Sequence, residues 1–151
     1  MSVERTLVLV KPDGVQRGLV GQVIGRLERR GLQLIGLKLM RMDDALARRH
    51  YEAHVDKPFF PGLRAFMTSG PLVAAAFEGP QAVQAVRSTM GVTNPIDAAP
   101  GTIRGDFGID LGRNVVHGSD SPEAGAREIA LFFRPEELQA WTPDLQRWIV
   151  E

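Results

Sequence analysis

Apolar positions along the chain fall into short runs and stripes of two periods. The first run, "TLVLVK" (6–11), stops at Pro12-Asp13-Gly14 and reads as a buried strand ending in a turn. Val20, Val23, Ile24 and Leu27 then recur at i, i+3, i+4 and i+7, with Arg26, Glu28, Arg29 and Arg30 off the stripe. Gly31 stands at a natural C′ position, so this stretch predicts an amphipathic helix. "LQLIGLKLMRM" (32–42), with Leu37 and Leu39 alternating against Lys38, predicts a second strand.

Asp43 and Asp44 are N-cap candidates for a helix through about His54. After Pro58 a second helical piece carries Leu63, Phe66 and Met67 and ends at Gly70-Pro71. "LVAAAF" (72–77) is a third strand. Pro80 is expected to start a helix with Val83, Val86 and Met90 on one face, closed by Gly91. "VVH" (115–117) is a fourth, short strand. Ser121-Pro122 opens the last long helix, with Ala126, Ile129, Ala130 and Phe133 forming its stripe, and a turn and tail follow. The order β-α-β, a helical pair, then β-α-β-α predicts an α+β fold of ferredoxin-like, split βαβ type. Its four-stranded antiparallel sheet would carry helices packed on it. No repeat or linker interrupts the pattern, so residues 1–151 are read as one domain. Residues 92–114 have no clear period, and a compact domain seldom holds so long a stretch unless it lines a site.

Composition adds exclusions. With 18 Lys and Arg against 18 Asp and Glu, no global field recruits nucleic acid or anionic membrane, so any phosphate site must be local. The absence of cysteine removes disulfides, thiolate metal sites and cysteine nucleophiles. The opening residues reach Lys11 after an apolar run too short for a signal or a membrane span, which makes a cytoplasmic location the default expectation. There is no GxxxxGK[ST] and no GxGxxG, so nucleotide handling would have to proceed without a P-loop. His50 and His54 do not make HExxH, because the chain reads "HYEAH", and both are expected to be solvated helix residues.

His117 stands apart. It ends the fourth strand and is followed by Gly118, which allows close approach, and by Ser119-Asp120-Ser121 at a helix N-terminus, where free N–H groups suit an anionic phosphate. Glu128 falls about two turns into that helix. If the strand folds back along the helix, Glu128 can bond one ring nitrogen and leave the other free as a nucleophile. Taken without these neighbours, such a histidine reads first as a capped, hydrogen-bonded structural residue. Lys11, Arg87 and Arg104 come from three segments that the topology could bring to one edge, and arginine suits bidentate phosphate contacts. Phe59 in "DKPFFPG" is either a core residue or a plate on which a base stacks.

"NVVHGSDS", together with "TLVLVKPDGVQRGLVG", "KPFFPGL", "SGPLVA" and "TNPIDAAPGTIRGDF", resembles the nucleoside diphosphate kinase family over essentially the whole chain. The resemblance implies transfer of the terminal phosphate of a nucleoside triphosphate to a nucleoside diphosphate, with broad base specificity, in ping-pong fashion through a phosphohistidine. It makes His117 the nucleophile, with Glu128 and Ser119 in support. It gives Lys11, Tyr51, Arg87, Thr93, Arg104 and Asn114 to the phosphates and sugar, and Phe59, with Leu63 and Leu111, to the base. It implies Mg2+ as cofactor, reached by Asp120 through water rather than held by a protein ligand. It also implies a homo-oligomer, a hexamer being favoured over a tetramer by the extended tail ending "WIVE". The rival classes are a nucleotide-sensing module without turnover, which predicts no covalent phosphate, and a nucleic-acid-binding protein, which zero net charge disfavours. No membrane partner is expected.

Overall fold

Strand order decides where the candidate residues meet. The computed structural model describes residues 3–151, in which β1 (Val3–Val10), β2 (Gln33–Arg41), β3 (Pro71–Pro80) and β4 (Val116–Gly118) form one sheet in the order β2-β3-β1-β4. Every neighbouring pair is antiparallel. This is the ferredoxin-like arrangement that the element order predicts, with β4 an edge strand of three residues.

Helices cover both faces. Val8, Val10, Val73, Ala75 and Phe77 pack against α2 (Val20–Arg30) and α5 (Ala82–Met90) through Val23, Leu27, Val86 and Met90. The opposite face, Leu7, Leu9, Leu72, Ala74 and Ala76, meets α3 (Asp44–His50), α4 (Phe60–Met67) and α7 (Pro122–Phe132) through Ala47, Met67, Ile129 and Phe132. Burial on both faces explains why the two central strands read as unbroken apolar runs rather than alternating ones. The alanines of β3 are fully buried and leave room for helices on either side.

Several expectations change in detail. The turn after β1 winds into a short helix, α1 (Pro12–Gln16). Asp43 does cap α3, its carboxylate accepting from Leu46 N–H at 2.8 Å, but the α-helix stops at His50 and a 3-10 turn (Glu52–His54) follows. Pro80 ends β3 instead of starting α5, whose N-cap is Gln81. The stretch 92–114 holds a 3-10 turn at Pro95–Asp97 and a five-residue helix, α6 (Ile103–Phe107), capped by Thr102. In β2, Leu37 and Leu39 point outward, 51% and 67% exposed. Lys38 instead lies over the Phe133 ring and pairs with Glu137 at 3.2 Å. Along α7 the buried side is Ala124, Gly125, Glu128, Ile129 and Phe132; of the expected stripe Ile129 and Phe133 are buried, whereas Ala126 and Ala130 are exposed.

Candidate active site

The chain enters β4 through a strained turn. Val115, fully buried, has φ +75°, a region that β-branched residues avoid. Val116 N–H donates to the Asn114 carbonyl at 2.8 Å, closing a three-residue γ-turn around it. Three partners hold this turn: Lys11 N–H donates to the Val115 carbonyl (2.9 Å), Val115 N–H donates to Asp13 Oδ2 (3.0 Å), and the Asn114 side chain donates to the Thr93 carbonyl (3.1 Å). The strand then pairs His117 with Leu9 of β1.

Opposite, Ser121 caps α7 by accepting Ala124 N–H at 3.0 Å. Gly125 lets the helix lie so close to β1 that a Cβ there would run into the Arg5 carbonyl oxygen. That approach brings the buried Glu128 to His117. Glu128 Oε1 accepts from His117 Nε2 (3.0 Å) and from Ser119 Oγ (2.7 Å), and Ser119 Oγ in turn accepts Leu7 N–H (3.0 Å). Burial works to raise the Glu128 carboxyl, but the hydrogen bonds from His117 and Ser119 and the nearby His117 charge overcome it and hold Glu128 below the usual carboxylate range. An ionised carboxylate at Nε2 assigns the ring proton to that nitrogen and leaves Nδ1 with a free lone pair.

His50 corrects an expectation: it is buried, not solvated. Its ring makes edge contacts with Tyr51, His117 and Phe132 at centroid distances of 4.6, 4.9 and 5.2 Å. Burial, and then the His117 charge, push its pKa down to about 3, so it stays neutral. Tyr51 is pushed upward by burial and by Glu128 and keeps its phenolic proton. Position 50 gives no sequence signal of this role, because only the packing of α3 against α7 makes it internal.

The cations gather on the other side of the turn. Lys11 Nζ donates to Asn114 Oδ1 at 2.8 Å, and burial and Arg104 push its pKa down to about 8, partly offset by Asp13. Arg104 is buried, and its guanidinium donates to the carbonyls of Asn114 (3.2 Å), Gly91 (3.1 Å) and Val116 (2.6 Å). Three of an arginine's five N–H donors are thus spent on backbone, and two remain. Burial, then Arg87, lower its pKa to about 10. Desolvated like charges close together are costly alone and are relieved by a polyanion. Phe59, 53% exposed, touches His54 and Lys57. Leu111 is exposed and Leu63 packs on the second core, and among the described residues no hydrogen bond or ring contact joins these three to the histidine cluster.

Two places could concern a metal. One nitrogen each of His50 and His117 and a Glu128 oxygen lie within 4.8 Å of one another, but two imidazoles suit zinc rather than magnesium. Magnesium prefers oxygens and keeps waters and phosphate ligands. The exposed Asp120 carboxylate, which lines a cavity of about 340 Å³ with Arg87 and Glu4, fits such a water-bridged ion.

The family described as nucleoside diphosphate kinase matches residues 4–138. A nucleoside diphosphate kinase of Synechococcus sp. (strain JA-3-3Ab) is 60% identical over 149 residues, covering 99% of this chain and 100% of the relative. One of Carboxydothermus hydrogenoformans is 59% identical with the same coverage. Among solved structures, a halophilic nucleoside diphosphate kinase from Halobacterium salinarum in complex with CDP superposes with TM-score 0.96 at 55% identity, covering 99% of this chain and 100% of that one. A nucleoside diphosphate kinase family protein from Babesia bovis gives 0.94 at 46%, covering 97% and 99%.

Proposed function

The chain belongs to the nucleoside diphosphate kinase family and moves the terminal phosphate between nucleotides, and on that premise we propose that the phosphate travels by way of His117. One observation carries this reading: Glu128 occupies Nε2 of His117 and leaves Nδ1 free. In the first half-reaction the Nδ1 lone pair forms a P–N bond to the γ-phosphorus. The bond to the bridging oxygen breaks, and its electrons leave with the nucleoside diphosphate. Glu128 balances the positive charge that the ring acquires, and Ser119 fixes the carboxylate through the 2.7 Å bond. A second diphosphate then reverses these steps.

Lys11, the two remaining donors of Arg104, and Arg87 would neutralise charge on the transferred group, while Asn114 and Thr93 set the Lys11 position and Tyr51 packs on His50, which in turn packs on the His117 ring. Magnesium, carried on the nucleotide phosphates with Asp120 holding one of its waters, would supply further charge neutralisation there. Phe59 would take the base by stacking, with Leu63 and Leu111 beside it, and a π-face that every base offers supports broad base specificity. The partners are nucleoside di- and triphosphates and, in our reading, further copies of the same chain, six in preference to four, in the cytoplasm. No helix among the described residues is long and apolar enough to cross a membrane.

Incubation with γ-labelled ATP and Mg2+ tests the mechanism. Wild type should acquire acid-labile, base-stable label, and His117→Ala should acquire none while losing at least about a thousandfold in turnover, as removal of a nucleophile does. Substantial residual transfer with label on another residue would overturn it.

A further inference from the structure

Asp13 lies in none of the roles above, yet two features of the site meet at its carboxylate. Oδ2 accepts the Val115 N–H at 3.0 Å, one of the bonds that hold the γ-turn at φ +75°. Oδ1 is buried without a hydrogen-bond partner. Val115 lies directly after Asn114, which anchors Lys11, and two residues before His117. A left-handed valine persists only where its neighbours over-determine it. Released, the turn would relax toward negative φ and move Asn114 and His117 relative to each other.

We infer that Asp13 is a positioning residue for phosphoryl transfer: one carboxylate oxygen pins the turn between Asn114 and His117. The inference rests on the reading of Lys11 and His117 given above. The groups that act on the Lys11 ammonium come from three helices and from the turn before β4. Asn114 bonds it, Arg104 of α6 opposes its charge, Asp13 of α1 supports it, and His50 of α3, itself neutral, is near enough to feel it. Asp13 partly offsets the effect of burial and Arg104 on Lys11, so its removal should let Lys11 lose its proton at lower pH.

The two roles separate chemically. In Asp13→Asn the amide oxygen still accepts Val115 N–H, so the turn holds while the charge is gone. In Asp13→Ala both are lost. The experiment is the pH profile of kcat/KM for phosphate transfer from ATP to a diphosphate, with thermal melting as a check of folding. Asp13→Asn should keep its value near pH 6.5 within about threefold of wild type, with its alkaline limb displaced to lower pH than that of wild type. Asp13→Ala should lose at least tenfold at pH 6.5 as well. A second measurement covers a poorly folded alanine variant. Glycine accepts φ +75° without strain, so Asp13→Ala should cost several-fold less in a Val115→Gly background than in wild type. Wild-type alkaline limbs in both variants, an asparagine variant no better than alanine, or strictly additive effects with Val115→Gly would each overturn the inference. If labelling instead moved off His117, the reading of the site would fall while the turn's dependence on Asp13 could still be read from the melting of the double variants.

Discussion

At the scale of single residues, what could be read from the sequence was what chemistry demands locally. His117 among Gly118, Ser119 and Asp120, with Glu128 about two turns into a helix, is a pattern that a short segment can carry, and the bond between the two side chains follows from it. His50 was not legible. Nothing adjacent marks it as internal, and its burial arises from α7, more than seventy positions away in sequence. Its environment makes a prediction about stability. In the unfolded chain His50 takes up a proton near 6.5, whereas in the folded chain it resists until about 3. Between those values the unfolded state binds more protons, so stability rises with pH and is lost as the pH falls. From pH 6.5 to 5 the loss should be about 2 kcal/mol, worth roughly 5 °C for a chain of this size. His50→Phe keeps an aromatic ring of similar shape and cannot titrate. Melting curves should show its Tm declining over that interval by several degrees less than that of wild type. Parallel declines would mean that His50 is protonated in the fold.

At the scale of elements, periodicity located every strand and all the helices of eight or more residues, and failed where tertiary geometry overrides it. The five-residue α6 spans little more than one turn, too little to show a period, and is set by the Thr102 cap instead. In β2 a bulge between Leu34 and Gly36 shifts the register. Leu37 and Leu39 sit opposite Ala75 and Val73, on the face that α2 and α5 cover elsewhere, but at the open edge. The α7 stripe was right at Ile129 and Phe133 and wrong at Ala126 and Ala130, because glycine at 125 carries no hydrophobic signal. Gly125 is nevertheless the residue through which the helix approaches β1. Gly125→Ala should therefore push α7 off the sheet. Overpacking of this kind costs roughly 1–3 kcal/mol, and the displacement should also stretch the Glu128–His117 bond one turn further along. Denaturant unfolding should show the loss of stability, and kcat should fall together with it. An alanine variant as stable and as active as wild type would mean that the contact is slack.

At the scale of the whole molecule, the sheet has two unlike edges. β4 is three residues long and carries His117, so association there would obstruct the site. β2 is nine residues long, and the C-terminal tail bonds the backbone of only its first part, Glu137 reaching just the Lys38 side chain beyond it. Gln139 N–H and the Trp141 indole donate to the carbonyls of Ile35 and Leu34, and the Gln33 amide donates back to the Trp141 carbonyl. Leu37 and Leu39 beyond it stay exposed, as do Val92, Ile96, Ile109 and Leu111 on the stretch before β4. An uncovered apolar edge strand invites pairing, and a second copy of the same strand, related by a twofold axis, is its natural complement. A second apolar area would allow dimers to associate further, and six chains is the number we propose. Sedimentation should therefore give a mass near six times the 16.6 kDa chain. Leu39→Lys should break the assembly to smaller species while each chain keeps its fold, because the side chain touches solvent in the isolated chain. Truncation after Trp141 removes the exposed Leu145 and Trp148 and the Ile149 that packs on Gly31, and should weaken assembly before it harms phosphate transfer. A monodisperse, fully active monomer would defeat this account, because the apolar edge would then have to be tolerated in water with no partner to cover it.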